Sequence, residues 1–140
     1  MVSAETEISS GLWRLPLPSA TLPPYDHTNS YLVASGGAGV LINAGSDDTE
    51  VLTGLYSALD AFGVTLTALM LTHTHPDHCA GAAAVAERYD VPVFAHPLEQ
   101  SRLDFSTQPL HDGENVTVGT SVLRALHTPG HSPGHLSFFW

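Results

Sequence analysis

The sequence predicts an α/β layered fold, on three observations. Short apolar runs alternate with helical periodicity between residues 30 and 95, and a hairpin pattern follows from Asn115. The chain has 140 residues, 43% hydrophobic and 13% charged. That is enough apolar material for one packed domain, residues 1–140, and too much for a disordered chain. One cysteine, Cys79, excludes an internal disulfide and a cysteine-based zinc cage.

Residues 1–30 read as an entry segment in which Pro16, Pro18, Pro23 and Pro24 break any helix. Strands are expected at Ser30–Ala34 and Gly39–Asn43, joined through Ser35-Gly36-Gly37-Ala38. Asp47 and Asp48 read as helix caps. Val51, Leu52, Leu55, Leu59 and Phe62 recur at helical spacing, and Gly63 stands where a left-handed C-terminal cap belongs, so Thr49–Phe62 is predicted helical. Leu66–Leu71 reads as a buried strand and Cys79–Tyr89 as an Ala-rich helix ended by Asp90-Val91-Pro92. Val91–Ala95 is a further predicted strand, and residues 97–105 a short helix. Val116, Val118, the Gly119-Thr120 turn, Val122, Leu123 and Leu126 form the hairpin pattern. Leu136–Trp140 begins another strand.

Fourteen acidic residues face four arginines (Arg14, Arg88, Arg102, Arg124) and no lysine, a formal charge of −10 at pH 7. So few cations can neutralise few phosphates, which speaks against a nucleic-acid partner. No apolar run is long enough to span a membrane, and Met1–Ser10 has no apolar core of a secretory signal. A cytoplasmic protein acting on a small molecule is expected.

Nine histidines are the anomaly. Thr72-His73-Thr74-His75-Pro76-Asp77-His78 lies between a predicted strand and a predicted helix. In extended backbone, residues two apart point the same way, so His73 and His75 can present imidazoles to one point. Asp77 and His78 sit where the chain turns and can aim at a second point nearby. Imidazole and carboxylate suit zinc, with iron and manganese possible. A zinc centre with three protein ligands still lacks one after His73 and His75. His131, centred between the two Pro-Gly pairs of His127-Thr128-Pro129-Gly130-His131-Ser132-Pro133-Gly134-His135, is the best candidate.

These two motifs resemble the metallo-β-lactamase superfamily, in particular its glyoxalase II-like branch. Asn29-Ser30-Tyr31-Leu32-Val33 and Leu41-Ile42-Asn43-Ala44-Gly45 add to the resemblance. It implies a four-layer αββα sandwich, here the N-terminal half and the start of the second half, with the metal site at one edge between the sheets. It further implies that His73, His75 and His131 bind a first metal and Asp77 and His78 a second, as one or two zinc ions. The implied activity is metal-dependent hydrolysis of an ester, thioester, lactone or lactam through a metal-activated hydroxide, with Asp77 as the catalytic residue that orients it. The alternatives are a mononuclear iron persulfide dioxygenase-like enzyme and an inactive truncated metal-binding fragment.

Two departures from the family stand out. Asn43 replaces an Asp that acts behind the ligands. The sequence stops at Trp140, before the strand that carries a bridging Asp and before a distal His. A domain incomplete at its C-terminus is therefore expected, with Phe138, Phe139 and Trp140 short of partners, low turnover, and a homodimer through the exposed sheet edge. His27, His96 and His111 are expected on surfaces or loops, and His127 and His135 in hydrogen-bonding roles. Cys79 reads as a small buried residue. Asp26 and Asp104 have no motif around them.

Overall fold

The computed structural model describes residues 5–140. In chain order it comprises β1 (Thr6–Ser9), β2 (Leu12–Pro18), β3 (His27–Ser35), β4 (Ala38–Ile42), α1 (Thr49–Ala61), β5 (Thr65–Met70), α2 (Pro76–Cys79), α3 (Ala82–Tyr89) and β6 (Val93–Ala95). Then follow α4 (Pro97–Gln100), β7 (Gln108–Pro109), β8 (Asn115–Val118), β9 (Ser121–His127) and β10 (Leu136–Phe139). A seven-stranded sheet runs in the order β1 to β7, and a three-stranded sheet in the order β10-β9-β8. Neighbours are antiparallel from β1 to β4 and parallel from β4 to β7. Each parallel step in the large sheet needs a crossover, and α1 and then α2 with α3 supply the first two.

Strand alternation sorts the core into two layers. Leu32, Leu41, Leu69 and Leu71 turn to one face and pack with Leu52, Leu55 and Leu59 of α1 and Val85 of α3. Val33, Val40, Ile42, Ala68 and Met70 turn to the other and pack with Val118, Leu123, Ala125 and Leu136 of the small sheet. Helices, large sheet and small sheet thus make three successive layers of the αββα arrangement. A helical layer over the outer face of the small sheet, where Val122 and Leu126 are exposed, is absent among the described residues. Leu55 is fully buried between α1 and the large sheet, so Leu55→Ala would cost about 2–5 kcal/mol.

The structure corrects the sequence reading at five places. The entry segment contains β1 and β2. Its prolines are tolerated because β1 reaches only Leu12–Arg14, which leaves β2 an open outer edge where Pro16 and Pro18 stand. The helix expected over Cys79–Tyr89 is instead α2 and α3, separated because the Gly81 N–H leaves the helical ladder for the Ala44 carbonyl, 2.8 Å away. The strand expected from Val91 starts at Val93, although the Pro92 carbonyl already accepts from Leu69 N–H. The helix expected over 97–105 closes at Gln100, and β7 was not foreseen. Of the two expected caps, Asp48 alone caps α1, accepting from the N–H groups of Glu50 and Val51.

Candidate metal centre

The site grows out of the C-terminal ends of β4 and β5, adjacent parallel strands, where ligand crevices of α/β sheets open. Beyond β5 the chain bends at Thr72, His75 is in extended backbone, and Pro76 then starts α2 with its fixed φ. The segment is tied down on both sides. Ala44 N–H donates to the His78 carbonyl at 3.0 Å, Thr28 Oγ1 donates to the Asp77 carbonyl at 2.6 Å, and Leu136 N–H donates to the Thr72 carbonyl at 2.8 Å. Gly45 is required for this approach, because a Cβ there would run into the Asp77 carbonyl.

His73, His75 and His131 come together as the motif spacing predicts. One ligand atom from each lies within 4.8 Å of the others. His75 Nδ1 and His131 Nε2 face each other at 3.1 Å. His73 is 2% exposed, and its Nε2 is buried without a hydrogen-bond partner. An orphaned buried nitrogen costs free energy in a protein interior unless something occupies it. A divalent cation between the three rings would take that lone pair, so the donor set fits a metal ion. Burial, then the neighbouring His78, His75, His135 and His131, hold the His73 pKa down at about 4, which keeps the ring neutral and able to coordinate.

Asp77 and His78 stand beside the triad. The Asp77 carboxylate accepts from Thr21 Oγ1 at 2.8 Å, and its Oδ2 lies 3.9 Å from His78 Nε2. Asn43, in left-handed backbone at φ 64°, reaches the other side of His78. Thr72 N–H donates to Asn43 Oδ1 at 3.0 Å, which leaves Asn43 Nδ2 towards His78 Nδ1, 3.2 Å away. An amide nitrogen only donates. His78 Nδ1 is therefore the acceptor, and the neutral ring carries its proton on Nε2. Burial lowers the His78 pKa, against the pull of Asp77, so neutral is the form to consider.

A cleft of about 780 Å³ opens in front of these groups, between residues 20–25 and the side chains of His75, Asp77, His78 and His131. Leu22 and Tyr25 are exposed on its wall, so it combines an apolar side with a polar floor.

Glu99 has no motif around it in the sequence. It lies in α4, is 1% exposed, and accepts four hydrogen bonds. Oε1 takes Thr74 N–H (3.1 Å), Thr74 Oγ1 (3.1 Å) and Ser132 Oγ (2.5 Å), and Oε2 takes Gly134 N–H (3.0 Å). Burial works to raise its pKa, but the bonds from Ser132, Gly134 and Thr74 outweigh it and hold the carboxyl below its ordinary value.

The remaining histidines are accounted for. His27 and His111 are exposed and pair with Asp26 and Glu114. His135 Nδ1 meets Thr128 Oγ1 at 3.0 Å, and His127 Nε2 donates to the Pro133 carbonyl at 2.8 Å. His96 is partly buried and stacks on His127 with ring centroids 4.3 Å apart. Cys79 is buried, and desolvation raises its thiol pKa to about 11, which makes it an inert filler.

Three converging imidazoles at the strand ends of a layered α/β fold form a cluster that could hold a metal ion. The chain belongs to the metallo-beta-lactamase superfamily, whose family model matches residues 23–140. It is 31% identical over 114 residues to an atrochrysone carboxyl ACP thioesterase of Passalora fulva, covering 81% of this chain and 34% of that protein. It is 33% identical over 141 residues to a lactamase-like protein of Penicillium aethiopicum, covering 96% of this chain and 43% of that protein. The chain thus spans well under half the length of these relatives. Among solved structures, a metallo-beta-lactamase family protein of Thermus thermophilus superposes with a TM-score of 0.79 at 25% identity, over 95% of this chain and 56% of that one. The BLEG-1 B3 metallo-beta-lactamase gives 0.68 at 28% identity, over 89% and 66%.

Proposed function

We propose that this chain carries the metal centre of a zinc-dependent hydrolase that cleaves a small-molecule ester, thioester, lactone or lactam, with a thioester preferred. The observation that carries the reading is the orphaned Nε2 of His73 between two further imidazole nitrogens. The thioester preference rests on the likeness to the ACP thioesterase of Passalora fulva. His73, His75 and His131 would hold the ion. When bound, zinc supplies water activation near neutral pH and polarisation of a carbonyl.

The chain's own residues do the rest. Thr21 fixes the Asp77 carboxylate at the cleft floor, where it can accept a proton from an attacking water and orient it. Exposed Leu22 and Tyr25 offer apolar surface to an acyl group and help exclude water from its carbonyl. The acidity of the chain disfavours a nucleic-acid substrate, and among the described residues no helix is long and apolar enough to cross a membrane. A cytoplasmic setting is part of the proposal.

The test is zinc titration of the metal-free chain, followed by assays on an acyl thioester, a lactone and a β-lactam. Zinc-dependent cleavage above the metal-free background, lost in His75→Ala, supports the reading. A chain that binds no divalent ion overturns it, and oxygen uptake with a persulfide would point to the dioxygenase alternative.

A further inference from the structure

We infer that Glu99 is the positioning residue of the metal centre, setting the span between the loop that carries His73 and His75 and the loop that carries His131. The inference rests on the metal-binding reading above and goes beyond it. Its basis is where the four donors come from. Thr74 lies between His73 and His75, so its N–H and O–H, both bonded to Glu99 Oε1, fix the backbone from which those two rings project. Ser132 follows His131 directly, and its hydroxyl bonds to the same oxygen. One carboxylate oxygen thereby joins the two loops, whose bonded residues are 58 positions apart (Thr74 to Ser132). Gly134 N–H, on the other oxygen, closes the fork.

The surroundings are shaped for this carboxylate. A Cβ at Gly134 would lie 2.7 Å from Glu99 Cγ and 3.1 Å from its Oε2, so only glycine admits the side chain here. No arginine or histidine forms an ion pair with Glu99 among the described residues. Burying a carboxylate without a countercharge is costly. Four charge-assisted hydrogen bonds offset that cost, and they do so only while both loops keep their places. Imidazole ligands need their backbone held to fractions of an ångström, and groups behind the ligands commonly tune metal affinity 10- to 100-fold.

Glu99→Gln keeps the size but sets an amide NH2 against one of the donors. Glu99→Ala removes all four bonds, and Ser132→Ala removes one. The experiment measures zinc affinity of each full chain by chelator competition, the visible spectrum of its cobalt(II) form, and the melting temperature without metal. The expected result is a graded loss of zinc affinity, about 10-fold for Glu99→Gln and Ser132→Ala and up to about 100-fold for Glu99→Ala. Altered cobalt(II) bands in protein that is still folded accompany that loss. A purely structural role would lower the melting temperature and leave both the bands and the affinity of folded protein unchanged, and that result overturns the inference. Should Glu99→Ala fail to fold, Glu99→Gln and Ser132→Ala decide. If the unaltered chain binds neither zinc nor cobalt, it is the metal reading that fails.

Discussion

The His73–His75–His131 corner and the Asp77–His78 corner lie side by side at one end of the large sheet, and their polar atoms are used differently. In the first, His75 Nδ1 and His131 Nε2 face each other at 3.1 Å and His73 Nε2 has no partner at all. In the second, Asp77 Oδ2 and His78 Nδ1 are already engaged. Thr21 holds Asp77, Asn43 donates to His78 Nδ1, and the proton left on His78 Nε2 points towards the Asp77 carboxylate, 3.9 Å away. Both corners have the residue types of a metal site. The first brings three ring nitrogens close to one another and leaves His73 Nε2 without a partner, whereas His78 turns a protonated nitrogen to its neighbour, and the groups behind each ring decide that.

The largest expected effect tests the first corner. Metal-saturated protein should hold one zinc ion per chain tightly by elemental analysis, and His75→Ala should abolish that binding, because two imidazoles compete poorly with water. Two tightly held ions per chain would break the contrast between the corners, and would show that His78 gives up its Nε2 proton readily.

A second expected effect concerns the dryness of the first corner. The His73 ring titrates near 6.5 in the unfolded chain and at about 4 in the folded one. Below pH 6.5 the unfolded chain takes up a proton that the folded chain refuses. Metal-free stability therefore falls as pH drops from 6.5 to 4, by at most roughly 3 kcal/mol for this ring coupled to its neighbouring imidazoles, with no contribution above that window. Urea unfolding of chelator-treated protein at several pH values measures it, with His73→Asn as reference. An equal pH slope in the two proteins would mean that the ring is solvated.

Asn43→Asp sharpens the comparison from the other side. A carboxylate accepts where the amide donates, so His78 should shift its proton to Nδ1 and turn the Nε2 lone pair towards the cleft. Nitrogen-15 NMR of the histidine rings reads the tautomer without any metal. Affinity for a second zinc ion should then rise on the order of tenfold. An unchanged tautomer in Asn43→Asp would show that Asp77 rather than Asn43 sets the ring.

What could be read in the sequence was what local spacing carries. His73 and His75 stand two residues apart at the end of a predicted strand, a spacing that brings both rings together, and two Pro-Gly pairs single out His131. Asp77 and His78 were legible as neighbours of the site. The state of the His78 ring was not, because it depends on Asn43, 35 residues away. Glu99 gave no signal, since its partners Thr74 and Ser132 stand 25 and 33 residues off and none forms a motif with it. The missed strands β1 and β2 and the broken helix around Gly81 have the same origin. Proline at an open edge and an N–H bonded to Ala44 are tertiary facts.

The smallest expected effect marks the outer limit of the site. His111 is exposed and bonds Glu114 across the surface at 2.7 Å, yet its ring lies 6.4 Å from His96, which stacks on His127 at the start of the His131 loop. A chain of rings thus leads from the surface towards the candidate ligand His131. Stacked rings direct their lone pairs within nearly parallel planes, 13° apart for His96 and His127, and offer no common point to an ion. His96 Nδ1 is also occupied, accepting from Leu98 N–H at 3.1 Å. Removing a solvent-exposed pair such as His111–Glu114 costs less than about 1 kcal/mol. His111→Ala should therefore leave zinc affinity within about twofold of the unaltered chain, the ordinary range for a substitution that touches neither ligand nor supporting group. Calorimetric titration of the two proteins side by side measures it. A clear loss of affinity in His111→Ala would mean that the ring chain transmits position to His131, and the boundary between ligand and bystander histidines would move outward to the surface.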